Sequence, residues 1–118
     1  MIKLFDLKEQ YKIFGKIIDK KVISILSSGN YILGKNVELF EENAKNYLNG
    51  KYALSCNSGT DALVLSLRAL GIKTGDEIIT TPFTFISTAE SIASLKAKPI
   101  FVDIEKDTFN IDANRIEA

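Results

Sequence analysis

The residues best placed for chemistry lie in the run Ser55-Cys56-Asn57-Ser58-Gly59-Thr60-Asp61-Ala62-Leu63. A short apolar segment ends there, small polar residues turn the chain, and an apolar helical pattern begins. The first N–H groups of a helix lack partners within it and lie at the positive end of its dipole. Such a terminus receives anions, and a phosphate is the natural guest. Gly59 would let the backbone come close to that anion, and Ser58 and Thr60 add hydroxyl donors. The competing reading is plainer: Ser58 N-caps the helix and Gly59 is its turn residue. Asp61 suits the dipole from the first turn, although its carboxylate would oppose a bare phosphate. Its backbone N–H could still serve.

A second run, Thr80-Thr81-Pro82-Phe83-Thr84-Phe85-Ile86-Ser87-Thr88, follows a strand pattern. In a parallel sheet it would leave at the same end as the first run, where ligands of open α/β sheets gather. Phe83 and Phe85 could present a flat face to an aromatic ligand, or could simply pack in the core. Cys56 beside the first turn could be a low-pKa thiol, but no base lies near it in sequence, and a buried structural role is expected. Asp103-Ile104-Glu105-Lys106-Asp107 matches no calcium-loop spacing and is expected to be a solvated loop. Tyr31 and Glu42 are read as structural. No histidine occurs, which excludes Ser-His-Asp and Cys-His catalysis and removes the commonest zinc ligand. No catalytic residue and no metal site is expected within the chain.

The elements that must position these runs are legible from period and punctuation. With 118 residues the chain suffices for one domain. An amphipathic helix is expected over 8–26, with Phe14, Ile17, Ile18, Val22, Ile25 and Leu26 on one face. A loop holds Tyr31 to Gly34, and a second helix is expected over 36–48. From there short strands (51–55, 77–80, 98–102) alternate with helices (59–70, 84–95, and one from 112 onward). The 59–70 helix is apolar around most of its circumference and is expected to be buried on more than one side. This rhythm implies βαβ units and a largely parallel sheet, hence the α/β class. The last helix breaks off after about two turns with three strands laid down, so a piece of something larger is expected. The second helix and the sheet edge should then expose apolar surface.

Composition excludes other classes. Fifteen basic and fifteen acidic residues cancel, and only two of the basic residues are arginines. A nucleic-acid partner is therefore not expected. No run approaches the ~18 apolar residues of a membrane span. The opening Met1 to Asp6 turns acidic too soon for a secretory signal. One cysteine allows no internal disulfide. A soluble, cytoplasmic protein is expected.

The ordered strings Ser-Gly-Thr-Asp-Ala-Leu (58–63), Gly-Asp-Glu-Ile-Ile-Thr (75–80), Thr-Pro-Phe-Thr-Phe-Ile-Ser-Thr-Ala (81–89), Lys-Pro-Ile-Phe-Val-Asp-Ile (98–104) and Asp-Thr-Phe-Asn-Ile-Asp (107–112) resemble the DegT/StrS-type sugar aminotransferases. Residues 29–34 with Phe40-Glu41 also resemble the family's entry to its large domain, so the resemblance covers essentially the whole chain. It implies the N-terminal part of the large domain of the aspartate-aminotransferase fold (fold type I). The incomplete, mostly parallel sheet would have flanking helices: N-terminal helices over 8–48, βαβ units over 51–118, and no complete second domain. It implies a homodimeric enzyme of polysaccharide biosynthesis that uses pyridoxal 5′-phosphate, a nucleotide-linked keto-sugar and glutamate. Carried over by position, Gly59, Thr60 and the backbone of Asp61 would hold the cofactor phosphate, and Phe85 would stack on its pyridine ring.

The family's Schiff-base lysine, and the aspartate that pairs with the pyridine nitrogen, have no counterparts among residues 1–118. Alone, these residues are expected to be inactive. Two alternatives stay open: a pyridoxal-phosphate-dependent sugar dehydratase on the same scaffold, or a non-catalytic truncated product.

Overall fold

The computed structural model describes residues 4–116. The chain divides into two compact units, Met1–Ser55 and Cys56–Ala118.

The first unit contains two helices, α1 (Leu7–Ser28) and α2 (Lys35–Tyr47). The side chain of Asp6 accepts from the N–H groups of Lys8 and Glu9 at the start of α1, and Gly29, at φ 71°, ends it. Inside α1 the buried Gly15 makes room for a neighbour: a Cβ there would stand 3.1 Å from the Tyr11 ring. That ring reaches along the helix to donate a 2.6 Å hydrogen bond to Asp19. The apolar stripe expected on α1 is present, with Phe14, Ile17, Ile18, Val22 and Leu26 all exposed. In α2, Glu38 occupies the first turn and Lys45 the last, each suiting the dipole. Tyr31 donates to the Leu26 carbonyl, and Glu42 pairs with Lys45 and Asn46, so both play the structural parts expected of them.

The expected strand over 51–55 does not form. A strand is defined by its ladder, and among the described residues none pairs with this segment. Tyr52 and Leu54 are exposed. Its last residue is anchored instead to α2: the Glu41 carboxylate accepts from both the N–H and the hydroxyl of Ser55, each at 2.7 Å.

The second unit carries α3 (Gly59–Ala69), β1 (Glu77–Thr80), α4 (Ser87–Ser94) and β2 (Lys98–Phe101). The helix α3 closes with Gly71 N–H to Arg68 O and Ile72 N–H to Leu67 O. This double bond pattern requires a left-handed residue, and Gly71 supplies it at φ 79°. Strands β1 and β2 pair in parallel, Glu77 with Lys98 through Thr80 with Phe101. The intervening α4 makes the βαβ crossover that a parallel pair needs. The core is small: Ile92 of α4, Ala97 and Val102, with Ser91, only 1% exposed, buried beside Ile92. The Ser91 hydroxyl donates to the Ser87 carbonyl, so its burial leaves no polar atom unpaired.

Three further expectations are corrected here. No residue of α3 is buried, because it packs on α4 alone and its remaining surface has no cover in this unit. The helix before β2 begins at Ser87 rather than 84, since Thr84 closes a turn onto the Pro82 carbonyl. The expected helix from 112 is a single 3-10 turn, Ala113–Arg115, capped by Asp112. Its last two expected residues, 117 and 118, lie outside the described residues, as do 1–3 of the opening segment. The acidic run is an exposed loop, as expected, closed by an antiparallel bridge between Ile104 and Ile111.

Candidate functional site

The first run turns sharply into α3. Ser58 is extended (φ −155°, ψ 165°) and its hydroxyl oxygen accepts from the Asp61 N–H. The same hydroxyl lies 3.0 Å from the Asp61 carboxylate and donates to it. The capping role weighed for Ser58 is thus real, and it engages one of the three N–H groups assigned to an anion. The other two, on Gly59 and Thr60, open the helix without a partner four residues back. A Cβ on Gly59 would meet nothing within 4 Å. Because Ser58 draws the Asp61 carboxylate to itself, the acid is held by the cap. The cap thus occupies the Asp61 amide and leaves those of Gly59 and Thr60 at the open start of α3.

Cys56 departs from expectation. It is exposed, and its thiol donates to the Ser58 carbonyl at 3.4 Å. Residues 55–58 form no regular element, so nothing folds over the sulfur.

The second run separates two phenylalanines that the sequence treats alike. The Phe83 ring stacks on Phe109, with centroids 5.7 Å apart and planes 25° apart. Phe85 is 76% exposed and holds the start of α4 through its backbone, its carbonyl accepting from Thr88 N–H. Phe83, itself 63% exposed, thus shares one ring face with Phe109, while Phe85 has no stacking partner among the described residues. The hydroxyls of Thr84 and Thr88 lie 3.0 Å apart and brace the turn between them. The Phe83–Phe109 pair is what sequence reasoning missed. Phe109 sits at φ 59° in the loop after β2, and no periodic pattern marks it.

From Cys56 on, both runs belong to the second unit. A cavity of about 170 Å³ lies between α3, β1 and α4, with Leu63, Thr80 and Thr88 on its wall. The second turn of α3, the last residue of β1 and the first turn of α4 therefore border one space. The Phe85 run leaves the carboxyl end of β1, the end at which α/β sheets bind ligands.

The sequence profile of the DegT/DnrJ/EryC1/StrS aminotransferase family matches residues 13–118. The chain is 43% identical to the UDP-2-acetamido-2-deoxy-3-oxo-D-glucuronate aminotransferase of Pseudomonas aeruginosa, over 100% of this chain and 33% of that protein. A crystal structure of a DegT/DnrJ/EryC1/StrS aminotransferase from Brucella abortus superposes with TM-score 0.95 at 33% identity, covering 100% of this chain and 32% of the other. NtdA from Bacillus subtilis, solved with bound cofactor PMP, superposes with TM-score 0.82 at 36% identity, over 85% of this chain and 23% of NtdA. The chain thus spans a third or less of the length of these relatives. The α/β fold expected from the sequence, a partial fold type I large domain, is borne out. No described helix is long and apolar enough to cross a membrane.

Proposed function

Because the chain belongs to the DegT/DnrJ/EryC1/StrS aminotransferase family, we propose that it is the N-terminal part of a sugar aminotransferase dependent on pyridoxal 5′-phosphate. The complete enzyme transfers an amino group from glutamate to a nucleotide-linked keto-sugar, as a cytoplasmic homodimer. The observation that carries this reading is the family match across 13–118 together with 43% identity to an aminotransferase of a UDP-sugar.

The cofactor, when bound, supplies an electron sink and a carrier for the amino group. The residues of this chain bind and orient. Gly59 and Thr60 would hold the phosphate through their amides, and Thr60 through its hydroxyl as well, with the α3 dipole adding positive potential. Asp61, held by Ser58, keeps the helix start in shape. Phe85 would offer its open ring to the pyridine face. Residues 1–118 on their own do not turn over, because covalent attachment needs a lysine and none of the thirteen present stands at the family's position.

Titration of the 118-residue chain with pyridoxal phosphate, followed by cofactor absorbance, tests this. Saturable binding that inorganic phosphate displaces, and that Thr60→Ala and Phe85→Ala weaken, is the expected result. Binding that neither variant alters, or borohydride trapping at one unique lysine, would overturn it.

A further inference from the structure

Residues 51–57 lead into α3, and they have no regular structure. Among the described residues, none of their backbone groups joins a backbone–backbone hydrogen bond. A segment without such bonds opens locally at little cost. Yet it delivers the chain to Gly59 and Thr60, whose amides are the ones assigned above to the cofactor phosphate.

Two side-chain contacts stand where the ladder is missing. The Cys56 thiol donates to the Ser58 carbonyl at 3.4 Å, a weak bond because a thiol is a weak donor. The Glu41 carboxylate is the stronger hold. Its Oε1 accepts from the Ser55 N–H and from the Ser55 hydroxyl, each at 2.7 Å. Bonds to an ionised acceptor are about twice as strong as neutral ones. Both are partly shielded from water, which strengthens them further. Because the two donors belong to one residue, Ser55 is fixed in position and in orientation. Only Cys56, Asn57 and Ser58 then separate the anchor from Gly59, a reach of at most about 14 Å.

We propose that Glu41 is a positioning residue for the cofactor phosphate. By holding Ser55 it keeps residues 55–58 ordered before binding, so an anion meets the Gly59 and Thr60 amides without first arresting the segment that leads to them. Such ordering in advance raises affinity by removing its cost from the binding step. Glu41 acts through Ser55 and the main chain, not by touching the anion. The inference rests on the functional reading above. It also carries a sign of its own: removing a negative charge ordinarily favours an anion, whereas loss of Glu41 should disfavour this one.

The test titrates the 118-residue chain with inorganic phosphate and with pyridoxal phosphate, by calorimetry. Glu41→Ala should weaken both by about tenfold, the cost of ordering roughly one backbone residue anew. Glu41→Gln keeps an oxygen able to accept both Ser55 bonds and should return affinity to within about threefold of the parent. Ser55→Ala gives up one of the two bonds and should fall between them. A second readout needs no ligand. The Asp61 amide, which the Ser58 cap protects, should exchange at least about threefold faster in Glu41→Ala. The Lys98 and Val102 amides, bonded across the β1–β2 seam, should not change, which separates a loosened turn from general unfolding.

Equal or tighter phosphate binding by Glu41→Ala, no recovery in Glu41→Gln, or an unchanged Asp61 amide overturns the proposal. A parent chain that binds neither ligand, with an Asp61 amide that still responds, removes the functional reading and keeps Glu41 as the anchor of this turn. Binding that Thr60→Ala weakens and Glu41→Ala leaves alone does the reverse.

Discussion

Glu41 and Ser55, fourteen residues apart, are joined by two hydrogen bonds of 2.7 Å, with one carboxylate oxygen accepting from both the backbone N–H and the hydroxyl of Ser55. The Ser55 backbone N–H, and next its hydroxyl, hold the Glu41 carboxyl below the usual carboxylate range. The depressed value belongs to the folded chain. The anchoring is therefore complete above the ordinary carboxylate range and is lost as pH falls through the lowered value. Protection of the Ser55 amide from hydrogen exchange should follow that course. Glu41→Gln should leave weaker protection that no longer varies with pH, and a pH-dependent Ser55 amide in that variant would refute the assignment.

Tyr11 makes the opposite shift for a related reason. Its hydroxyl donates to the Asp19 carboxylate, and that bond, followed by desolvation and the Asp19 charge, raises the phenol above its ordinary value. Asp19→Asn removes the charge and should bring the phenolate transition back toward that value in an absorbance titration. No change would mean that the Tyr11–Asp19 bond is not populated in solution.

Gly59→Pro should separate helix formation from anion binding. Proline suits the first helical position, and Ser58 already has the extended backbone that a residue before proline requires. Helicity should be retained, while one anion-facing N–H is lost. A hydrogen bond to a charged group is worth ~1.5–3 kcal/mol, so phosphate or pyridoxal phosphate should bind about tenfold or more weakly. Calorimetric titration showing equal affinity would remove Gly59 from the site.

Phe83 and Phe85 should divide stability from binding. Phe83→Leu breaks the stack on Phe109 and should destabilise the chain by ~0.5–1.5 kcal/mol beyond lost area. Phe85→Leu should leave thermal unfolding unchanged and weaken pyridoxal phosphate. The reverse pattern would exchange the two roles.

These particulars show which physics a sequence displays. Caps, turn glycines and apolar periods act over a few residues, so α1, α3, β1 and β2 stand close to where their patterns place them. The segment 51–55 has a strand's composition and no strand, because a ladder needs a partner that local residues do not encode. The same limit applies to α3, whose apolar circumference implies two covered sides where the unit offers α4 alone. Of the site, the Ser58–Asp61 cap was legible from residue types, since capping is a contact of neighbours. The sorting of Phe83 from Phe85 was not, because it depends on Phe109, twenty-six residues on.

Cys56 is the sole thiol of the chain and it is exposed. A thiol-reactive fluorophore would therefore attach at one known position, three residues before Gly59, with no engineering of the sequence. Its emission would report directly on what arrives at the start of α3, and would make cofactor and phosphate titrations readable at concentrations too low for absorbance.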